Sequence, residues 1–125
     1  MTTSTTTSQH GPLAYQRIVV KAGTNVLTSS GTRLDRTAMA GIVAQMAAIQ
    51  GAGAQVILVT SGAIAAGREV LGNSRDTKGI SLGQMLAAVG QSRLMHAYQE
   101  MFAEHGIVVA QALLTHSDVE GRRGY

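Results

Sequence analysis

From Arg17 to Leu114 the apolar residues fall alternately into short continuous runs and longer stretches at helical spacing. Arg17-Ile18-Val19-Val20-Lys21 is β-branched, too short for a helix and ended by Gly23, so it predicts a buried strand. Thr24 to Gly31, carrying Asn, Ser and Gly, predicts a loop, and Asp35 stands where it can cap a following helix. In that helix Met39, Ile42, Val43, Met46 and Ile49 recur at three and four residues, giving one apolar stripe that Gly51 and Gly53 terminate. Gln55-Val56-Ile57-Leu58-Val59-Thr60 is apolar without alternation, the pattern of a parallel strand covered on both faces. A helix from about Gly62 to Leu71 should leave its carboxyl end. The polar stretch from Gly72 to Gly79 then leads to a Ser81-x-x-Gln84 capping box and a long helix built on Leu82, Leu86, Gly90, Leu94 and Tyr98. It should stop near His105-Gly106, where Ile107 to Leu114 predicts a third buried strand, and Ser117-Asp118 opens another helical turn.

Strands alternating with helices predict an α/β fold in which a mainly parallel sheet lies between helical layers. Sheets of this class usually carry more than three strands, so the pattern is that of an incomplete one. Residues 1–14 are polar and without period at their start and are expected to form a disordered tail, with residues 15–125 as one domain.

Composition narrows the class. With 125 residues, 45% hydrophobic and 14% charged, the chain can bury a core and fits a closely packed helix-on-sheet protein. The start lacks the basic-then-apolar order of a secretory signal, and no run reaches the roughly 18 apolar residues of a membrane span, so a soluble, cytoplasmic protein is expected. The absence of cysteine excludes disulfides and thiolate chemistry. The net charge of +3 comes from basic residues scattered along the chain, with only Arg122 and Arg123 adjacent. With 3% aromatics, that distribution argues against a nucleic-acid partner and for a mildly cationic surface around an anionic small-molecule site.

Two segments could carry chemistry. Lys21-Ala22-Gly23-Thr24 falls at the carboxyl end of the first strand, where ligands bind in open α/β sheets. Lys21 there is either a fixed positive charge for a phosphate, with Gly23 letting a backbone N–H approach, or a strand-end lysine whose ammonium reaches solvent. Thr60-Ser61-Gly62-Ala63-Ile64-Ala65-Ala66-Gly67 repeats the arrangement at the second strand. Free N–H groups at a helix start attract anions and Ser61 can orient a carboxylate; alternatively Gly62 and the alanines serve close helix–strand packing. There is no P-loop, and Gly51-Ala52-Gly53 lies on the wrong side of a strand for a dinucleotide fingerprint. The histidines lack metal-ligand spacing, and Gly-x-Ser-x-Gly is absent around Ser61.

In order along the chain, Val19-Val20-Lys21-Ala22-Gly23-Thr24-Asn25-Val26-Leu27-Thr28, Val59 to Glu69, Leu86-Ala87-Ala88-Val89-Gly90-Gln91-Ser92-Arg93-Leu94-Met95 and Gln111-Ala112-Leu113-Leu114-Thr115 resemble the glutamate 5-kinases of the amino acid kinase family. The match covers nearly all of residues 17 to 120 and departs from the usual pattern at Ala22 and Gly83. The resemblance implies transfer of the ATP γ-phosphate, with magnesium on the nucleotide, to the side-chain carboxylate of L-glutamate as the first step of proline synthesis. It assigns Lys21 to the ATP phosphates, the Gly23 N–H to the γ-phosphate, Ser61 to glutamate and the Gly62 N–H to the acceptor carboxylate. It also implies that residues 15–125 are the N-terminal part of the kinase domain and that the protein forms a homo-oligomer. The family's catalytic aspartate, second phosphate-binding lysine and nucleotide pocket follow in later sequence, so weak or no turnover is expected of this segment alone. The alternatives are a non-catalytic binding or assembly module and another carboxylate kinase of the same family.

Overall fold

A computed structural model describes residues 12–72 and 81–121. The expected tail over residues 1–14 lies mostly outside the described residues, as does the polar stretch after Gly72 up to residue 80. Strand β1 (Arg17–Ala22) leads into a one-turn helix α1 (Thr24–Leu27), then helix α2 (Arg36–Gly51), strand β2 (Gln55–Thr60), helices α3 (Ala63–Leu71) and α4 (Leu82–Ala103), and a short α5 (His116–Glu120). β1 and β2 pair in parallel, with Ile18 opposite Val56, Val20 opposite Leu58 and Ala22 opposite Thr60.

The helix boundaries follow their caps. The Asp35 carboxylate accepts the Ala38 N–H at 3.0 Å, starting α2. The Ser29 hydroxyl, then the N–H groups of Ala38 and Thr37, hold that carboxyl below its usual range. Ser81 accepts the Gln84 N–H at 3.2 Å and starts α4. At the other ends, Gly53 and Gly106 take the left-handed conformations, φ +104° and +71°, that let the chain leave α2 and α4.

Both strands alternate. Val20 and Ala22 of β1, with Val56 and Leu58 of β2, join a core made with Leu27, Met39, Val43, Met46, Ala65, Ala66, Leu94, Ala97, Tyr98 and Phe102. The opposite face of the sheet carries Val19, Ile57 and Val59, which are 66%, 62% and 51% exposed. An apolar run without alternation led to the expectation of a strand covered on both faces. Among the described residues only one face is covered, so the fold there has two layers, a two-stranded parallel sheet and helices on one side.

Two further expectations change. Thr24 to Gly31 is not all loop, because Thr24–Leu27 forms one helical turn that drives Leu27 fully into the core. The third strand does not form. Ile107 and Val109 pack on the core while Val108 is 96% exposed, which is strand-like alternation, yet no ladder partner completes it. A strand's backbone N–H and C=O groups need a neighbour, and hydrophobic pattern alone does not supply one.

Candidate active site

Lys21, Gly23, Ser61 and Gly62 come together at the carboxyl edge of the sheet. The register sets Ala22 beside Thr60, so the two turns leave from neighbouring positions. One hydrogen bond joins them directly: the Ser61 N–H donates to the Ala22 carbonyl at 2.9 Å. Lys21 alternates onto the uncovered face and its side chain is exposed, so its charge remains solvated. The ammonium is thus free of the desolvation cost that a buried lysine carries.

Gly23 caps α1 in an extended conformation with open space where a Cβ would stand. A ligand oxygen can therefore approach its backbone. Ser61 is exposed, and Gly62 beneath it is buried and caps α3 at φ +106°. A Cβ on Gly62 would stand 3.2 Å from Leu27 Cδ1, 3.3 Å from Leu34 Cδ2 and 3.6 Å from Leu94 Cδ1. The close-packing reading of this glycine thus holds, since Leu27, Leu34 and Leu94 leave little room there for a side chain.

α3 is held by α4. A methyl group at Gly90 would collide with the backbones of Ala63 and Gly67, and one at Gly67 with the backbone of Leu86. The two helices cross with their backbones in contact, which fixes where the N-terminus of α3 sits. From the other side, the Glu69 carboxylate accepts the Leu34 N–H at 3.1 Å, Arg36 at 3.1 Å and Arg93 at 3.4 Å. It ties α3 to the chain entering α2 and to α4.

Sequence reasoning placed Tyr98 only in the apolar stripe of α4. In the structure it is 2% exposed, and its hydroxyl lies 2.7 Å from Thr60 Oγ1, at the end of β2. Burial pushes this hydroxyl above the ordinary tyrosine range. A tyrosine at a core position that also needs a hydrogen-bond partner was the available signal.

Chemically, the edge offers an ammonium, backbone N–H groups and a hydroxyl. Neither Lys21 to Leu27 nor Ser61 to Ala66 contains a carboxylate. Such a donor set suits anionic oxygens rather than a bare divalent cation.

The model of the amino acid kinase family matches residues 16–124. The chain belongs to the amino acid kinase family. Among its relatives, a glutamate 5-kinase of Dehalococcoides mccartyi (strain ATCC BAA-2266 / KCTC 15142 / 195) is 48% identical over 111 residues, covering 89% of this chain and 30% of that protein. A glutamate 5-kinase of Shewanella woodyi is 47% identical over 113 residues, covering 90% of this chain and 30% of that protein. This amino acid kinase segment thus spans 30% of the length of those two relatives. The two turns at the sheet edge lie inside the stretch matched by the family model, and so do Tyr98, Gly67 and Gly90.

Proposed function

We propose that this segment supplies the glutamate-binding wall of an ATP-dependent glutamate 5-kinase. The observation that carries the reading is the pair of anion-friendly turns on adjacent parallel strands, joined through the Ser61 N–H and the Ala22 carbonyl. An oxygen of the glutamate side-chain carboxylate attacks the γ-phosphorus of ATP; the new O–P bond forms as the bond to the β-phosphate oxygen breaks, and ADP leaves. Little covalent work falls to the protein in such transfers, which depend on alignment and on neutralising charge. Lys21 offsets charge on the phosphates, the Gly23 N–H meets the γ-phosphate, Ser61 holds glutamate and the Gly62 N–H meets the acceptor carboxylate. Magnesium travels with the nucleotide in this reading, which the lack of a carboxylate from Lys21 to Leu27 and from Ser61 to Ala66 supports. The remaining catalytic groups, and the strands and helices that complete a three-layer αβα domain, belong to the sequence that longer relatives carry.

The test is a chimera in which residues 16–121 replace the matching segment of the Shewanella woodyi relative. ATP-dependent acyl phosphate formation is read by hydroxylamine trapping with L-glutamate, aspartate and acetylglutamate as acceptors. Glutamate-dependent turnover that Lys21→Met lowers at least about 100-fold supports the reading, since the loss of one preorganised charge contact costs that much at such sites. Preference for another acceptor sinks the substrate assignment, and undiminished turnover in Lys21→Met sinks the role of the lysine.

A second reading is favoured by the exposed apolar face of Val19, Ile57 and Val59, which suits a binding or assembly module and also a homo-oligomer. Size-exclusion chromatography of the 125-residue chain tests this second reading. A monomer that stays monomeric on concentration removes this one.

A further inference from the structure

Thr60 Oγ1 sits between two partners, 2.7 Å from the Tyr98 hydroxyl and 2.9 Å from the Ser61 carbonyl oxygen. A threonine hydroxyl has a single proton, and a carbonyl oxygen can only accept. The Thr60 proton therefore goes to Ser61, and the Tyr98 hydroxyl is left as the donor to Thr60. The hydrogen bonds run in one direction, from Tyr98 through Thr60 to the Ser61 carbonyl. That carbonyl shares a planar peptide unit with the Gly62 N–H. Fixing the oxygen at one end of the plane fixes the direction of the N–H at the other, and accepting a hydrogen bond makes that N–H a stronger donor.

We propose that Tyr98 is a positioning residue: through Thr60 it orients and polarises the Ser61–Gly62 peptide, so that the Gly62 N–H is aimed at the carboxylate that accepts the phosphoryl group. The last clause rests on the function proposed above; the orientation of the peptide does not. Tyr98 stands on α4, beyond the Gly90 crossing that docks α3, and reaches the end of β2 from within the core. The hydroxyl is the polar part of an otherwise apolar contact, so it can be removed without emptying the space its ring fills.

The experiment compares Tyr98→Phe, Thr60→Val, Thr60→Ser and the Tyr98→Phe/Thr60→Val pair. In the 125-residue chain, the amide resonance of Gly62 is followed by NMR. Tyr98→Phe and Thr60→Val are expected to move the Gly62 amide proton upfield while α2 amides stay in place. Thr60→Ser, which keeps the hydroxyl, is expected to retain the parent position. In the kinase chimera, Tyr98→Phe is expected to raise the KM for glutamate about threefold to tenfold, the range of one neutral hydrogen bond. The KM for ATP should not move, and the pair should show no more than Thr60→Val alone.

A Gly62 amide that stays in place in Tyr98→Phe overturns the proposal, whatever the chimera does. Equal rises in both KM values, with amide shifts spread across α2, also overturn it, because that pattern is general loosening. If Tyr98→Phe fails to fold, Thr60→Val removes the middle link of the relay, and a Gly62 amide that stays in place there overturns the proposal. A parent chimera without glutamate-dependent turnover defeats the proposed function, and the amide shift still decides whether Tyr98 orients the peptide.

Discussion

Gly62 answers to two constraints that act on different atoms. Its φ of +106° needs a residue without a Cβ, and the space where a Cβ would stand faces Leu27, Leu34 and Leu94. Those neighbours are side-chain ends that can yield, so the conformational term dominates, at about 1–3 kcal/mol for a non-glycine residue. Gly62→Ala should therefore lower the unfolding free energy by that amount, read as a fall in the urea midpoint with the slope of the transition unchanged. Tyr98 adds a pH dependence. Its hydroxyl is held above the ordinary range by burial, so the folded state keeps the proton longer than the unfolded chain does. That stability is fully present below the unfolded value of about 10 and is lost as pH rises through the folded value. Melting temperatures followed across the alkaline range should fall less steeply in Tyr98→Phe than in the parent. From sequence, Lys21, Gly23, Ser61 and Gly62 were legible because small residues and a lysine close two apolar runs. Tyr98 was not, since an apolar stripe reports which side of a helix is buried and says nothing of where a hydroxyl finds its partner.

The crossing of α3 and α4 matters more to the fold than either helix's own propensity. Gly67 and Gly90 remove the side chains that would separate the two backbones, and a methyl at Gly90 meets backbone atoms that cannot rotate away. Gly90→Ala is expected to cost about 3 kcal/mol or more, at the upper end of overpacking penalties, read by chemical denaturation. Glu69 braces the same region. Its arginine partners are about half exposed and contribute little, whereas among the described residues the Leu34 N–H has no other acceptor than the carboxylate. Glu69→Ala should cost about 1–2 kcal/mol, with scant dependence on salt. Helices α2 and α4 were readable because their caps and stripes are local in sequence. The segment after Gly106 was misread because a strand exists only with a partner, and Ile107 and Val109 bury themselves on the core without one.

Across the molecule, the helices cover one side of the sheet and leave Val19, Ile57 and Val59 on the other. Ile57→Lys should reduce self-association in sedimentation experiments at raised concentration while leaving the helical signal intact, because Ile57 points away from the core. The paired turns carry a geometric consequence. Adjacent strands are held about 4.8 Å apart by backbone hydrogen bonds, and the Ser61 N–H extends that spacing one step past the last ladder pair. Under the proposed function, the gap between a phosphate guest at Gly23 and a carboxylate guest at Gly62 is thus measured by peptide groups. Side-chain substitutions can tune how tightly each guest is held, but changing how far apart the guests stand requires inserting or deleting a residue in the backbone itself.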